Sequence, residues 1–374
     1  MSKSIKLYVI VGEPSGDLHA SNMMQAILDE NPNVDFRFFG GDKMQAIQQN
    51  GLVKHIRELA FMGFIEVIMN LKTILRNIKF CKADINSYQP DAIVLIDYPG
   101  FNLRIAEWAK SKGIKVYYYI SPQVWAWKQN RVHKIKKNVD HMFVILPFEE
   151  EFYKKFDYKV EYVGHPLLDE ISKFNFSENG KAFLTANNMD ERPIIAVLPG
   201  SRKQEVSVKL PIMLEALKEF TSHQIVVAGV PTLTPEFYAS IDPSIIIVFN
   251  DTYRLLANSS VAVVTSGTAT LETALFKVPE VVCYKASEIS YGIAKRLIKV
   301  DYISLVNLIM SREVVKELIQ KECSPDHIRN EVKQLIYDLE RRNQINQDYA
   351  SLENILGAGG ASKKVAQYLL KTIR

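Results

Sequence analysis

Short apolar runs bounded by turn-forming residues recur along this chain and alternate with longer stretches of helical periodicity. Runs of this length without period-two alternation are typical of strands buried on both faces, as in parallel sheets that carry helices on both sides. The repeated alternation therefore predicts an α/β fold with doubly wound parallel sheets. The runs are Lys6–Val11, Ala92–Ile96, Val116–Ile120, Met142–Ile145, Ile194–Leu198, Ile225–Ala228, Ile245–Val248 and Val261–Val264.

The length of the chain and an interruption of this pattern predict two such domains. A chain of 374 residues is longer than one domain of ordinary size. Polar residues interrupt the alternation between Gly164 and Pro193, after which it restarts. We place one Rossmann-like domain at residues 1–170 and the other at 190–340, facing each other across a cleft. Beyond about Ser311 the pattern indicates helices only, and no further strand is predicted.

Composition and charge exclude several classes of protein. Apolar residues make up 47% of the chain and charged residues 24%, which excludes a disordered or low-complexity protein. Basic residues exceed acidic ones by only four, 46 against 42, too few to indicate a nucleic-acid partner. No window offers the roughly 20 uninterrupted apolar residues of a membrane span. Cys81, Cys283 and Cys323 lie far apart, which predicts neither a disulfide framework nor a zinc site and favours a reducing cytoplasm.

Two turns in the C-terminal half are suited to binding phosphate. In doubly wound sheets ligands bind beyond the carboxyl ends of the strands, so the turns that follow strands are the places to search. Ser266, Gly267 and Thr268 follow the last apolar run and begin a helix, whose N-terminal N–H groups and dipole attract anions. Arg202 follows the run Ile194–Leu198, where its guanidinium can bind two phosphate oxygens at once. The two turns could therefore bind one diphosphate.

Acidic residues near these turns each allow two interpretations. Glu272 lies in the first turns of the helix that begins at Thr268, where a carboxylate either accepts from two ribose hydroxyls or pairs with the helix dipole. Glu205 follows Arg202 by three residues. The arginine is therefore either a phosphate ligand or a surface residue paired with this acid.

In the N-terminal half, the turn from Gly12 to His19 contains glycines but does not match the GxGxxG spacing, and Pro14 disfavours that turn. A dinucleotide site is therefore not supported. Asp97 follows the run Ala92–Ile96, where it either accepts a proton from an alcohol or shapes its own turn. The histidines show no compact metal-ligand spacing and the chain has no GxSxG elbow, so neither a metal site nor a serine hydrolase is predicted.

The stretch from Phe61 to Lys79 predicts an amphipathic helix with a wide apolar arc. A helix of this kind can lie in a membrane interface, with its apolar side among acyl chains and its cations at lipid phosphates. It can equally pack into a protein core, and the pattern leaves both interpretations open. The apolar stripe contains Phe64, Ile68, Leu71, Leu75 and Ile78, and the flanking cations are Lys72, Arg76 and Lys79.

A second basic stretch directly follows two tryptophans. Trp125 and Trp127 precede Lys128, Arg131 and further basic residues. An indole combines an apolar ring with a polar N–H, so the pair suits an interface or a lipid-lined pocket. Core tryptophans beside a solvated, charged helix explain the same residues equally well.

Taken in order, the motifs of this chain resemble the lipid-A-disaccharide synthase family over nearly the whole length. The resemblance implies two Rossmann-like domains of the glycosyltransferase B type, with the C-terminal helix, residues 345–374, packing back on the N-terminal domain. The matching motifs are GEPSGDLHA (Gly12–Ala20), MGFIEV (Met62–Val67), DYPGFN (Asp97–Asn102), SPQVWAW (Ser121–Trp127), LPFE (Leu146–Glu149), GHP (Gly164–Pro166), LPGSR (Leu198–Arg202), SGTATLE (Ser266–Glu272) and DYISLVN (Asp301–Asn307).

The resemblance also implies a reaction in lipid A biosynthesis. UDP-2,3-diacylglucosamine and 2,3-diacylglucosamine 1-phosphate (lipid X) would be joined into a tetraacyl disaccharide 1-phosphate, with release of UDP. We expect this inverting transfer at the cytoplasmic face of the inner membrane, on an anionic lipid surface to which the protein attaches peripherally. Neither a cofactor nor a metal is expected, and a homodimer is a further expectation of the resemblance.

Site residues are carried over from the family by position. Arg202, Glu272 and Asn307 match positions implicated in UDP-sugar binding, and the turn Ser266–Thr268 matches the diphosphate turn. These implied roles agree with the phosphate chemistry expected of the same turns.

On the acceptor side, Asp97 is the candidate base that removes the proton of the attacking 6-hydroxyl, and Asp17 is the reserve. Ser15 and Asn102 are expected to position sugar hydroxyls. Some members of the family carry a second acid at the position of Gly100.

Three rival functions remain at this point. A UDP-N-acetylglucosamine 2-epimerase, or a transferase with another lipid acceptor, would share the fold. A non-catalytic nucleotide-sugar or lipid-binding protein would bind UDP without releasing it from a donor. A dehydrogenase is the third, although the glycine spacing weakens it.

Overall fold

The computed structural model describes residues 4–59, 71–176, 180–297 and 300–373. The chain divides into two compact units. The N-terminal unit comprises Met1–Ile171 together with Ala358–Arg374, and the C-terminal unit comprises Ser172–Gly357.

The N-terminal unit contains a parallel sheet that has seven strands within the described residues. Its central strands are fully buried, and residues such as Val9 and Val94 have no exposed surface. This burial on both faces explains the continuous apolar runs in the sequence. The strands are β1 (Ile5–Ile10), β2 (Val34–Gly40), β3 (Leu52–His55), β4 (Ala92–Ile96), β5 (Lys115–Tyr119), β6 (His141–Val144) and β7 (Glu161–Tyr162), in the spatial order β3-β2-β1-β4-β5-β6-β7.

Helices connect these strands, as parallel pairing requires. They are α1 (Pro14–Glu30), α2 (Asp42–Ile47), α3 (Leu71–Tyr88), α4 (Pro99–Ser111), α5 (Arg131–Asn138), α6 (Glu149–Lys154) and α7 (Pro166–Ile171), with short 3-10 turns at Gln49–Gly51 and Ile56–Glu58.

The C-terminal unit repeats this architecture with six parallel strands in its described part. The strands are β8 (Ile194–Leu198), β9 (Gln224–Gly229), β10 (Ile246–Phe249), β11 (Ser259–Thr265), β12 (Glu280–Tyr284) and β13 (Lys316–Ile319), in the order β10-β9-β8-β11-β12-β13. The helices are α8 (Gly180–Ala186), α9 (Lys203–Leu217), α10 (Pro235–Ala239), α11 (Thr252–Ala257), α12 (Thr268–Leu275), α13 (Glu288–Leu297), α14 (Leu305–Met310), α15 (Pro325–Tyr337) and α16 (Leu339–Leu356). Two parallel α/β sheets confirm the predicted fold class.

The prediction that no strand follows Ser311 is wrong, because β13 pairs in parallel with β12. The strand begins with two charged residues, Lys316 and Glu317, which hid it from a search for apolar runs. Glu317 is nevertheless only 8% exposed. Its carboxylate accepts hydrogen bonds from two backbone N–H groups, which compensates for burial of the charge.

The C-terminal residues divide between the two units. Helix α16 belongs to the C-terminal unit, so the part of 345–374 that lies before Ala358 is not in the N-terminal unit where the sequence placed it. The last helix, α17 (Ala361–Thr372), packs against α1, with Val365 and Leu369 fully buried. Asp169 accepts hydrogen bonds from the N–H groups of Ala361 and Ser362 and thereby caps this helix.

In each sheet the chain reverses its direction of travel between two central strands. The N-terminal sheet grows from β1 outward to β3 and then returns to add β4 on the other side of β1, and the C-terminal sheet does the same with β8 and β11. Loops diverge at such a reversal and leave a crevice beyond the strand ends. The turns after β1, β4, β8 and β11 therefore border the two crevices in which ligands of such folds bind.

Candidate active site

The C-terminal unit has a pocket of about 490 Å³ at its strand reversal. Both turns predicted to bind phosphate line it, the one after β8 with Arg202 and the one after β11 with Ser266, Gly267 and Thr268. Glu272 lines the same pocket from one turn further along α12. The structure thus brings together five of the residues predicted to bind the donor.

The turn after β8 depends on contacts between Gly200 and Glu205. Gly200 has φ +119, and a Cβ there would lie 2.5 Å from Glu205 Oε2, which also accepts a hydrogen bond from the Ser201 N–H. The second carboxylate oxygen lies 3.7 Å from the guanidinium of Arg202, whose side chain is 55% exposed. An exposed pair at this distance is weak, so the guanidinium can exchange the acid for a phosphate in the pocket.

The turn after β11 presents backbone rather than side-chain donors. The Ser266 hydroxyl donates to the carbonyl oxygen of Ile303 at 2.9 Å, so it fixes the turn instead of serving as the expected phosphate donor. Gly267 and Thr268 are exposed at the start of α12, and nothing lies within 4 Å of the position that a Cβ on Gly267 would take. A ligand can therefore approach the backbone N–H groups of this helix end directly.

Glu272 lines the pocket together with a second acid, Glu205. Burial raises the pKa of the Glu272 carboxyl group. The Tyr253 hydroxyl donates to Glu272 Oε1 at 3.4 Å and partly offsets that effect. A desolvated carboxylate with one weak hydrogen-bond donor is stabilised by additional O–H donors, such as the two hydroxyls of a vicinal diol.

Asn307 occupies a different place from the one the sequence predicted, because it is fully buried and does not line the pocket. Its Nδ2 donates to Val315 O and Glu317 Oε1, both at 2.9 Å, and its Oδ1 accepts from Val314 and Val315 N–H. No capacity is left for a sugar nucleotide. Because Glu317 also holds the Ile303 N–H, Asn307 acts on the pocket indirectly, through the segment that anchors the Ser266 turn.

The pocket also contains residues that the sequence analysis missed. Gly229 ends β9, Val230 and Pro231 follow it, and Thr252 begins α11. They carry no charge and match no motif, which is why the sequence did not indicate them. The order of the strands brings them to the reversal point.

In the N-terminal unit the turn after β4 has an unusual backbone. Asp97 and Tyr98 both adopt left-handed conformations, with φ values of 44° and 48°. Such residues persist only when their surroundings hold them, and they concentrate at functional sites. The Asp97 N–H donates to Tyr119 O, and the Tyr98 ring lies against Gly12, where a Cβ would come within 2.3 Å of the ring.

This turn gives Asp97 a pKa suited to proton transfer. Burial, and secondarily the negative charge of Glu13, raise the pKa of Asp97 to about 6. Glu13 follows β1, so the two acids come from the two strands that flank the reversal. A carboxylate with a pKa near the working pH is a competent general base.

The other three acceptor-side candidates have different environments. Asp17 is 4% exposed and accepts hydrogen bonds from the N–H groups of Gly41, Lys43 and Met44, at 2.7, 3.0 and 3.2 Å. It therefore holds the start of α2, and its role as the reserve base stays a prediction.

Asn102 is fully buried, and its Nδ2 donates to carbonyl oxygens at the ends of β1 and β4, so it helps to fix the reversal point. Ser15 is exposed in the first turn of α1 and remains available to a substrate.

Sequence comparison decides the family. A family model described as lipid-A-disaccharide synthetase matches residues 7–372. The lipid-A-disaccharide synthase of Syntrophus aciditrophicus is 38% identical over 98% of this chain and 97% of its own length. The enzyme of Nitrosococcus oceani is 39% identical over 98% of this chain and 96% of its own, and that of Coxiella burnetii 36% over 98% of each.

The chain belongs to the lipid-A-disaccharide synthetase family. It is accordingly a glycosyltransferase of lipid A biosynthesis, which confirms the resemblance seen in the motifs.

Solved structures of lower identity share the fold of this synthetase family member. A UDP-GlcNAc 2-epimerase from Neisseria meningitidis, bound to UDP-GlcNAc, superposes with a TM-score of 0.68 at 15% identity and covers 98% of this chain and 100% of its own. The glycosyltransferase of kitacinnamycin superposes with a TM-score of 0.67 at 11% identity, covering 99% of each chain. At such identities the likeness concerns the fold alone, which is that of glycosyltransferase B proteins.

The amphipathic stretch of this synthetase is described only in part. Phe64 and Ile68 lie outside the described residues. In helix α3, Leu71 is 46% exposed and Leu75 50% exposed, whereas Ile78 is buried. The flanking cations Lys72 and Arg76 are exposed.

Metal clusters and membrane-spanning helices are both absent from the part of the chain that the structure describes. No three His, Cys, Asp or Glu side chains there are placed to hold a metal ion. None of the helices found there is long and apolar enough to cross a bilayer.

Proposed function

We propose that this protein transfers 2,3-diacylglucosamine from its UDP derivative to the 6-hydroxyl of 2,3-diacylglucosamine 1-phosphate, giving a tetraacyl disaccharide 1-phosphate and UDP. The observation that carries the proposal is the convergence of Arg202, the N-terminus of α12 and Glu272 on one pocket. A guanidinium, free helix N–H groups and an acid are the groups that a nucleoside diphosphate needs for its phosphates and its ribose.

In the donor site, Arg202 and the N–H groups at Gly267 and Thr268 bind the diphosphate. Glu272 accepts from the ribose hydroxyls, which supply the donors that its desolvated carboxylate lacks. The UDP-GlcNAc bound to the Neisseria meningitidis epimerase is a sugar nucleotide of the same chemical class, held by a protein of the same fold.

In the acceptor site, Asp97 is the general base. The acceptor oxygen attacks the anomeric carbon of the donor, the proton of the hydroxyl passes to Asp97, and the bond from that carbon to UDP breaks with its electron pair on the diphosphate. One displacement of this kind inverts the anomeric carbon. Ser15, exposed beside this turn, positions a hydroxyl of the acceptor sugar.

Catalysis depends on charge that the protein supplies in advance. Negative charge develops on the leaving diphosphate as the bond to the sugar breaks, and fixed donors aimed at it lower the barrier without reorganisation. Arg202 and the end of α12 are such donors. We therefore propose a transfer that requires no divalent cation, because these groups neutralise the leaving group.

The protein works at the cytoplasmic surface of the inner membrane, to which α3 attaches it. Leu71 and Leu75 are exposed on this helix, and Lys72 and Arg76 lie beside them. Exposed leucines flanked by cations suit an anionic lipid surface. A homodimer remains an expectation from the family, to be checked by light scattering.

Product analysis tests the proposal directly. The protein is incubated with both lipid substrates, with and without a chelator, and the products are measured by mass spectrometry. We expect equal amounts of the tetraacyl disaccharide 1-phosphate and UDP under both conditions. UDP without disaccharide, an epimerised sugar nucleotide, or complete dependence on added metal would each contradict it.

A further inference from the structure

An exposed tryptophan with two cations against its ring lies in the loop that follows β5. Trp127 is 39% exposed. Lys128 Nζ lies 4.6 Å from the centroid of its ring, and the guanidinium carbon of Arg131 lies 5.4 Å from the same centroid. The ring holds both cations close together at the surface, which lowers the conformational entropy that each would lose on binding an anion.

Contacts between the motifs SPQVWAW (Ser121–Trp127) and LPFE (Leu146–Glu149), and with Tyr153, fix the loop. Ser121 at its start bonds the Tyr153 hydroxyl at 2.6 Å, and the Trp125 ring packs edge-on against Phe148 at 4.9 Å. Gln129 Nε2 donates to Trp125 O at 3.2 Å and ties the end of the loop to its middle. The exposed tryptophan is therefore presented by an ordered scaffold.

Glu149 anchors this scaffold to the end of β6. It is 1% exposed, and its carboxylate accepts hydrogen bonds from the N–H groups of Ile145 and Leu146 at 3.1 and 2.9 Å. Burial raises the pKa of Glu149 to about 7. A side chain this deeply buried contacts no ligand, so its role is to fix the neighbouring turns.

The positive charge of the cluster is available to a ligand. Lys134, on the same helix as Arg131, pairs with Glu107 at 2.7 Å. Within the described ranges no carboxylate forms an ion pair with Lys128 or Arg131. An anion binding here therefore displaces no internal partner, and Arg131 can offer two parallel N–H groups to a phosphate.

The loop that carries the cluster follows β5, the strand next to the one that precedes the proposed general base. Strand β5 is the hydrogen-bonded neighbour of β4, the Asp97 N–H donates to Tyr119 O, and the Tyr118 hydroxyl donates to Asp97 O at 2.6 Å. Neighbouring strands lie about 4.8 Å apart, and parallel strands end at the same edge of a sheet. The loop of Trp127 and the turn of Asp97 thus follow neighbouring strands at the same edge of the sheet.

We propose that Trp127, Lys128 and Arg131 form the site for the phosphate of the acceptor sugar, with the cations on the phosphate and the indole against the sugar ring. This inference rests on the proposed function, which supplies an acceptor with a phosphate on C1 and the reactive hydroxyl on C6, which is attached to C5 on the other side of the ring oxygen. The site selects a phosphorylated acceptor and orients it, while Asp97 performs the chemistry.

The kinetic test compares acceptors with and without the phosphate. The variant K128Q/R131Q is assayed in non-ionic micelles with 2,3-diacylglucosamine 1-phosphate and with 2,3-diacylglucosamine, against the matched control K136Q/K137Q, which removes two exposed cations from the same helix. For the phosphorylated acceptor, we expect kcat/KM of K128Q/R131Q to fall roughly 10- to 100-fold, because the phosphate loses its charge-assisted hydrogen bonds to two solvent-exposed cations. The dephosphorylated acceptor and the KM of the UDP-sugar should be unaffected, and the control should keep the wild-type preference.

Two kinetic outcomes would overturn the inference. An equal loss of kcat/KM with both acceptors would mean that the cations support the fold or the contact with the micelle. An equal loss in the control variant would mean that the effect comes from general positive charge on this surface and not from a specific phosphate site. Vesicle binding that falls in K128Q/R131Q while acceptor preference is retained would assign the cluster to the membrane instead.

A binding experiment separates this inference from the proposed function. The indole N–H signal of Trp127, assigned with Trp127→Phe, is followed by NMR during titration with glucosamine 1-phosphate and with inorganic phosphate. We expect the sugar phosphate to shift the signal at lower concentration than phosphate alone, and K128Q/R131Q to abolish the difference. If wild type forms no disaccharide but this response is present, the proposed function fails and the site stands. If disaccharide forms and the signal does not respond, only the site fails.

Discussion

The two units share one architecture and differ in the chemistry at equivalent points. Each places two strand-end turns at the reversal of a parallel sheet. In the N-terminal unit these turns carry the acids Glu13 and Asp97, and in the C-terminal unit they carry Arg202 and the open end of α12. The fold therefore places the turns at equivalent points, and a few side chains give those of one unit acids and those of the other a cation and open N–H groups.

The turns also differ in what fills the space beside their glycines. The Tyr98 ring lies against Gly12 in the N-terminal unit, and the Glu205 carboxylate lies against Gly200 in the C-terminal one. In the N-terminal unit, burial and the charge of Glu13 raise the pKa of Asp97. A carboxylate instead holds the Ser201 N–H and leaves the neighbouring guanidinium exposed.

The largest expected effect comes from removing the proposed base, Asp97, in the N-terminal unit. Asp97→Asn should lower kcat by about 10²- to 10⁴-fold, the usual contribution of a general base, and leave the KM of the UDP-sugar unchanged. Asp157→Asn, an exposed acid of the same unit, is the control. A loss below threefold would remove Asp97 from the chemistry.

The same variant should be more stable than wild type at alkaline pH. The folded-state pKa of Asp97, about 6, lies above that of an unfolded aspartate, so ionisation opposes folding as the pH rises through 6. Asn cannot ionise, and Tm at pH 8 should rise, whereas the gain should vanish near pH 4. Thermal unfolding at both pH values checks the sign, and a lower Tm at pH 8 would contradict the assigned burial.

The next largest effect is expected in the C-terminal unit. Arg202→Ala should reduce kcat/KM by about 10²- to 10³-fold, as the loss of one charge-stabilising donor does in other enzymes. Arg192→Ala removes an arginine that also pairs with a nearby acid, Asp190, but lies outside the pocket, and it should retain activity. Equal losses in the two variants would show that the effect is structural.

A smaller effect is expected at the surface of α3 that we propose contacts lipid. Leu71→Gln with Leu75→Gln should weaken binding to anionic vesicles by tenfold or more, since burying one leucine contributes roughly 1.5–3 kcal/mol. Leu339→Gln, at a 69% exposed leucine of the C-terminal unit, should leave vesicle binding unchanged. If the double variant unfolds, α3 belongs to a core and does not attach to membranes.

The smallest effect is a shift of the pH profile. kcat/KM should rise with pH through about 6 as Asp97 loses its proton. Glu13→Gln removes the like charge that helps to raise this pKa, so the acid limb should move to lower pH by less than one unit, while Glu30→Gln should not move it. A shift of the acid limb to higher pH would contradict the prediction, because removing the charge of Glu13 should lower the pKa of Asp97.

The sequence predicted the elements whose pattern is local. Continuous apolar runs located β4 and β8 at their observed residues, and the small residues after β11 predicted the turn that begins a helix at Thr268. Strand β13 was missed because Glu317 is buried through hydrogen bonds from backbone N–H groups far away in the chain.

Residue type alone did not reveal which polar side chains face a ligand. Asp17 and Asn307 stand in motifs beside the predicted sites, yet both use their polar atoms within the protein. Val230 and Thr252 line the pocket without any sequence signal, because the order of the strands brings them there. Neither fact can be read from spacing along the chain.

Titration calorimetry with UDP tests the division of labour between the units most directly. We predict that Asp97→Asn binds UDP with the wild-type Kd while its kcat falls by about 10²- to 10⁴-fold, and that Arg202→Ala loses most of its affinity for UDP. Unchanged affinity in Arg202→Ala, or an equal loss in Asp97→Asn, would contradict the account.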